Sequence, residues 1–415
     1  MTAGMVLDRK RARRRVLGVL ALAVSCSATL VGTAQPAAAA DVQSKQWYLG
    51  AMQAEEMWKV TRGEGVKVAV IDTGVNSSTP SLKGQVLKGF DATEASGEET
   101  DDYDGHGTTM AELIAGTGEG GGLQGLAPGT KIIPMRIGDV EFQKRNSSNA
   151  YDWADAIRAA ADSDAKIISM SFGSPFAMER ERKAVEYAES KGKLFFAAVG
   201  NDGKGRNRKE YPAAYPQVVG IASADRQGKV AEYSQNGTTV DIASPGNDIP
   251  RWCDNSFQRY CDGDGGTSAA TAIASASAAL VWSAHPDWTA NQVLNVLFDT
   301  AGRDWEKGTL SKYLGHGLIR PSMNILKDKG DPGAPDVSPL TDEKTASGAE
   351  SSSPAGSAPP QPAANGSKAE GEAVAAGEAE SGGGGGQSGL ILGGVAVVAI
   401  LGGTAFVVLR RRRAA

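Results

Sequence analysis

Val66-Lys67-Val68-Ala69-Val70-Ile71-Asp72-Thr73-Gly74 is an apolar run, broken by one lysine, that ends on an acid. Such a run of branched and small side chains reads as a strand buried on both faces, the kind found in parallel sheets. Open α/β sheets gather their functional groups beyond the carboxyl ends of the strands, which is where Asp72 falls. Taken alone, Asp72-Thr73-Gly74 reads as a turn following a strand. Outward from it, strand and helix signals alternate. Lys131 to Ile137 reads as a strand, and Ala150, Trp153, Ala154, Ile157, Ala160 and Ala161 recur at helical spacing. Further strands are expected over Ala165–Phe172, Leu194–Val199 and Val218–Ala222, with a helix over Met178–Glu189. The predicted fold class is α/β, a doubly wound and mainly parallel sheet with helices on both faces.

Two distant segments give Asp72 a chemical reading: Asp104-Gly105-His106-Gly107-Thr108 and Gly266-Thr267-Ser268. A serine hydroxyl attacks an amide only when a neighbouring imidazole takes its proton and a carboxylate holds that imidazole in the right tautomer. The chain has three histidines. His285 in Ala284-His285-Pro286 and His316 in Gly315-His316-Gly317 read as structural or surface residues. His106 stands between glycines that leave it accessible. Ser268 opens a run of small residues through Ala284 that reads as a buried helix, whose first N–H groups carry partial positive charge suited to a tetrahedral oxyanion.

In order and in residues, these segments resemble the subtilisin-type serine proteases, whose acid–histidine–serine order is an established pattern rather than a deduction from this chain. The resemblance implies Asp72, His106 and Ser268 as a triad. Ala197-Ala198-Val199-Gly200-Asn201 is similar to the family segment that carries an oxyanion-hole asparagine, here Asn201. Ser169-Met170-Ser171-Phe172-Gly173 resembles the strand lining the S1 pocket, implying Ser171, Phe172 and Gly173 as substrate-binding residues. Met135-Arg136-Ile137-Gly138 resembles the opposite edge, implying Arg136, Ile137 and Gly138. Tyr211-Pro212-Ala213 and Ser244-Pro245-Gly246 follow in the family order, and the likeness covers Gln46 to Leu326.

The chain departs from the family at two positions beside the triad. Ala272 stands where proline is usual; in the first helical turn proline costs nothing, and alanine is itself a strong helix former. Glu112 stands where glycine is common, and the larger side chain is expected to alter how its helix packs. A long propeptide is not expected, because Trp47 and Met57-Trp58-Lys59-Val60 already resemble the domain's first elements.

The expected organisation is a signal peptide (residues 1–40), a subtilisin-like domain (41–329), a disordered linker (330–388), a transmembrane helix (389–409) and a cytoplasmic basic tail (410–415). Arg9-Lys10-Arg11 and Arg13-Arg14-Arg15 precede the apolar stretch Val16–Val31, and Ala38-Ala39-Ala40 supplies the cleavage site. Gly389 to Leu409 is uncharged, apolar and long enough to span a bilayer, and Arg410–Arg413 follow as a cytoplasmic stop. The linker, rich in Pro, Ala, Gly, Ser and Glu, lacks the large apolar residues of a core and as a coil would reach about 40–45 Å.

The formal net charge is −5. The acidic character left after removal of the basic ends does not suit nucleic acid, whose binding needs basic groups against phosphate. Cys253 and Cys261 remain after signal cleavage and are expected to form a disulfide beside the active site. No metal site or cofactor is expected; structural calcium, frequent among subtilisins, has no assignable segment here.

The plan of signal, short lead, catalytic domain, Pro-rich linker and single C-terminal span is similar to that of the mycosins, membrane-anchored subtilases of type VII secretion. That likeness implies a serine endopeptidase at the outer face of a cell membrane, with protein or peptide substrates and secretion-system membrane components as partners. A general cell-surface protease and a catalytically silent scaffold of a membrane complex are the alternatives.

Overall fold

The computed structural model describes residues 39–146, 153–263 and 265–345. The expected signal peptide lies almost wholly outside the described residues; the remainder of the linker, the transmembrane helix and the basic tail lie wholly outside them. Among the described residues no helix is long and apolar enough to cross a membrane.

Seven strands form one parallel sheet: β1 (Lys67–Asp72), β2 (Phe90–Asp91), β3 (Lys131–Arg136), β4 (Ile167–Met170), β5 (Leu194–Ala198), β6 (Val219–Ala224) and β7 (Ile242–Pro245), in the spatial order β2-β3-β1-β4-β5-β6-β7. β1 sits between β3 and β4, with Asp72 opposite Arg136 and Ile71 opposite Met170. Because successive side chains of a strand point to opposite faces, Val68 and Val70 enter one core while Ala69 and Ile71 enter the other. Both faces are therefore buried, which is why β1 reads as a continuous apolar run rather than an alternating one.

On the first face lie α1 (Ala39–Ser44), α2 (His106–Ala115), α5 (Thr267–Ala284) and α6 (Ala290–Asp299); on the second lie α3 (Trp153–Asp162) and α4 (Glu179–Ser190). The expected helix over Met178–Glu189 is α4 shifted by one residue, with Met178 as its extended N-cap. α5 is buried from Ala269 through Trp282. Its internal hydroxyls are satisfied locally: Thr271, Ser275 and Ser277 donate to the carbonyls of Thr267, Thr271 and Ile273. Small side chains let this helix lie close against the sheet without orphaning a polar atom.

Three expectations change here. Ala272 is the sixth residue of α5, not part of its first turn, so the argument for proline from an unpaired N–H does not apply there. The strand expected over Ala165–Phe172 shortens to Ile167–Met170, the one expected over Val218–Ala222 runs instead from Val219 to Ala224, and β7 and β2 join the sheet unannounced by long apolar runs. The linker does not begin at Gly330: residues 330–345 pack on the domain. Asn291 donates to the Pro335 carbonyl and Thr345 Oγ1, Asn295 donates to the Pro332 carbonyl, and Leu340 rests on the first core. At the other end Val42 is buried and Gln43 donates to the carbonyls of Gly118 and Gly122, so the short lead is part of the domain.

Candidate active site

Asp72 ends β1 as a buried carboxylate, and its Oδ1 accepts from Thr73 N at 2.8 Å and lies 2.7 Å from His106 Nδ1. His106 is the first residue of α2. A Cβ on its neighbour Gly107 would stand 2.1 Å from the Gly74 carbonyl oxygen, so only glycine lets α2 come this close to the end of β1. The loop before α2 is organised by Asp102, a residue that the triad motif does not include. This buried carboxylate accepts from Thr73 Oγ1, from the N–H groups of Asp104, Gly105 and Thr108, and from Thr108 Oγ1. Carboxylate bonds to backbone N–H groups at a helix start are among the stronger ones. Its cue in the sequence is an acid just ahead of the Gly105-His106 helix start.

Burial opposes charge on His106, yet the carboxylates of Asp72, Asp104 and Asp102 outweigh it and hold the ring above the ordinary histidine value. Nδ1 against Asp72 leaves Nε2 as the atom available to take a proton. Ser268 is the second residue of α5. Its hydroxyl rests on the Ser171 carbonyl at 3.3 Å rather than on the imidazole, and Ser171 Oγ in turn donates to the Ser268 carbonyl at 3.3 Å. Ser268 and His106 line the same cavity, and hydrogen bonds between a nucleophile and its base are often loose before substrate arrives.

Asn201 follows β5. Its Oδ1 accepts from both Thr267 N and Thr267 Oγ1 at 3.0 Å, which leaves Nδ2 free to donate elsewhere. A Cβ built at Gly266 would stand 3.7 Å from both Asn201 Nδ2 and Ser268 N, so these two N–H donors flank one small space. Two N–H donors around one space beside the Ser268 hydroxyl are the kind of arrangement that suits a developing oxyanion. His106, Ser268 and Asn201 line a single cavity of about 410 Å³ with Met110, Ile249 and Trp252.

The remaining expected site residues divide. Ser171 touches Ser268 as above, while Phe172 packs on Trp153 with ring centroids 4.5 Å apart. Arg136 and Ile137 do not offer the open edge expected of them. The Arg136 guanidinium is buried and paired with Asp91 at 3.0 Å. Its carbonyl accepts from Ala92 N, Ile137 N donates to the Asp72 carbonyl, and the Ile137 carbonyl accepts from Tyr103 OH. Gly138 is buried against Phe142. His285 stacks on Trp288 and His316 on Phe298, away from the cavity.

Cys253 and Cys261 form a disulfide that closes the hairpin β8 (Arg251–Trp252) and β9 (Tyr260–Cys261). Glu112, on α2, is fully buried beneath it; burial pushes its carboxyl up to about 7 against the hydroxyls of Tyr260 and Thr79, which favour the charge.

The model of the subtilase family matches residues 63–317. The chain is 36% identical over 206 residues to the major intracellular serine protease of Bacillus subtilis (strain 168), covering 48% of this chain and 63% of that protein, less than two thirds of its length. It is 32% identical over 281 residues to thermitase of Thermoactinomyces vulgaris, covering 65% of this chain and 95% of that one. Among solved structures it is similar to MycP1 from the ESX-1 type VII secretion system, with a TM-score of 0.60 and 26% identity, covering 71% of this chain and 88% of that one.

Proposed function

From a chain that belongs to the subtilase family, we propose a subtilisin-like serine endopeptidase in which Asp72, His106 and Ser268 act as the triad. His106 Nε2 takes the Ser268 proton as Oγ attacks the peptide carbonyl carbon, and Asp72 holds the ring through Nδ1. Asn201 Nδ2 and Ser268 N receive the oxyanion. His106 then gives its proton to the leaving amine, the C–N bond breaks, and an acyl-Ser268 ester remains. Water, deprotonated by the same imidazole, hydrolyses that ester. The observation that carries this reading is the 2.7 Å contact of Asp72 with His106, set at one cavity with Ser268 and Asn201. Wild-type protein is expected to cleave an unfolded protein substrate, and Ser268→Ala to cleave none; equal cleavage by both would remove Ser268 from the mechanism.

The same reading places the protease outside a membrane, secreted by residues 1–40 and anchored by Gly389–Leu409 with Arg410–Arg413 inside. No cofactor takes part. Likeness to MycP1, whose structure is described as part of a type VII secretion system, supports a role in such export, with exported proteins as substrates and membrane components of the system as partners. A Ser268→Ala strain and a deletion strain are expected to share one export defect. Unchanged export in the deletion strain would count against this role, and rescue by Ser268→Ala would mean that the domain serves as a scaffold.

A further inference from the structure

Glu112 sits two turns beyond His106 on α2, and its two carboxyl oxygens are divided between two elements. Oε1 accepts from Thr79 Oγ1 at 2.8 Å; Oε2 accepts from Tyr260 OH at 2.7 Å, across 148 residues of chain. Tyr260 also accepts from Leu123 N at 3.3 Å and stacks on Trp252, with ring centroids 3.8 Å apart. Trp252 N donates to Thr109 Oγ1, one turn after His106. The hairpin closed by Cys253 and Cys261 is thus fastened to the helix that carries the proposed base.

Trp252 separates two spaces. On one side is the cavity of about 410 Å³ that holds His106 and Ser268. On the other is a cavity of about 390 Å³ bounded by Val42, Pro80, Phe257 and Tyr260. The buried indole is held by the Tyr260 stack, by an edge contact with Phe257 and by the bond of the Trp252 backbone N–H to Thr109, and Tyr260 is itself fixed by its bond to Glu112. None of Ser171, Phe172 and Gly173, which the resemblance places on the acyl side, lines the first cavity, and Ser268 touches Ser171 at its margin. The first cavity therefore lies on the leaving-group side of the nucleophile.

We propose that Glu112 is a positioning residue that holds the disulfide-closed hairpin, through Tyr260 and Trp252, as the leaving-group wall of the substrate cleft. The proposal rests on the reading of Ser268 as nucleophile. Met110, Leu113, Ile249 and Trp252 supply the apolar part of a lining that also includes Asp104, Thr109 and Arg251, so the Trp252 side of the cavity fits an apolar residue just after the cleaved bond.

The test compares two substrates with the same acyl side: a peptidyl methyl ester, whose leaving group is only methanol, and an internally quenched peptide that continues beyond the cleaved bond with an apolar residue. For Glu112→Ala and Tyr260→Phe, the ratio of kcat/KM on the extended peptide to that on the methyl ester is expected to fall about tenfold, the size of one buried hydrogen bond. Glu112→Gln, which keeps an acceptor, is expected to recover most of that ratio. Tyr260→Phe removes only a hydroxyl and so tests the wall even if Glu112→Ala folds poorly. An unchanged ratio in the folded variants, whether both substrates lose activity equally or neither does, overturns the proposal. Failure of the wild type to acylate at Ser268 would instead defeat the reading on which it rests.

Discussion

Asp104 stands on the rim of the cavity beside His106, where burial and the neighbouring carboxylates of Asp102, Asp72 and Asp139 raise its own pKa and His106 lowers it. Its charge in turn favours the imidazolium. The sign of the consequence follows from the role of the ring. A base must be neutral to accept the serine proton, so a ring held above its ordinary value becomes competent only as pH rises through that higher value. The acidic limb of kcat/KM is therefore expected above the ordinary histidine range of about 6.5. Asp104→Asn removes one of the carboxylates that hold the ring charged, and the limb is expected to move to lower pH while Asp72 keeps the ring in place. A limb that stays put would mean that Asp104 does not sense His106. Asp72 and His106 were legible because the chain offers an acid at the end of an apolar strand and because Asp104-Gly105-His106-Gly107-Thr108 resembles a family segment; flanking glycines alone do not single out His106, since His316 has them too. Asp102 was not, because its five acceptances from the loop and helix start exist only once the chain has turned back on itself.

Elements were legible in proportion to their burial. β1 after Lys67, β5, and α5 from Ala269 to Trp282 are buried, and apart from Asp72 their sequences there are apolar or small. The hairpin of β8 and β9 has two residues in each strand and no periodicity to read; only its cysteine pair pointed to a closed loop. Residues 330–345 misled for a related reason. Their composition is that of a tether, with Leu340 alone as a large apolar residue after Gly330, and they are held mainly by side chains of α6 reaching their carbonyls. Hydrogen bonds from another element leave no trace in composition. A chain ending at residue 329 is accordingly expected to be less stable than one ending at Thr345, by about 1–3 kcal/mol for the lost Leu340 contact and buried hydrogen bonds. Equal Tm values for the two would show that this segment contributes nothing to the domain.

At the scale of the molecule, the parallel sheet brings together groups from distant parts of the sequence. Asp72 leaves β1, Ser171 follows β4 and Asn201 follows β5, while α2 and α5, both packed on the first face, bring His106 and Ser268. Strands that all run one way place their carboxyl ends on one edge, so a site assembled there draws one residue from each of several connections. The acyl-side groups around Ser171 and the leaving-side wall around Trp252 then lie on either side of Ser268. The central claim is that Ser268 is a nucleophile activated by His106. Treatment of the folded protein with a fluorophosphonate, followed by proteolysis and mass spectrometry, tests it most directly. The account predicts one phosphonyl adduct on the peptide carrying Ser268, lost in Ser268→Ala and slowed by several orders of magnitude in His106→Ala. No adduct at Ser268, or one that forms at the same rate without His106, would contradict it.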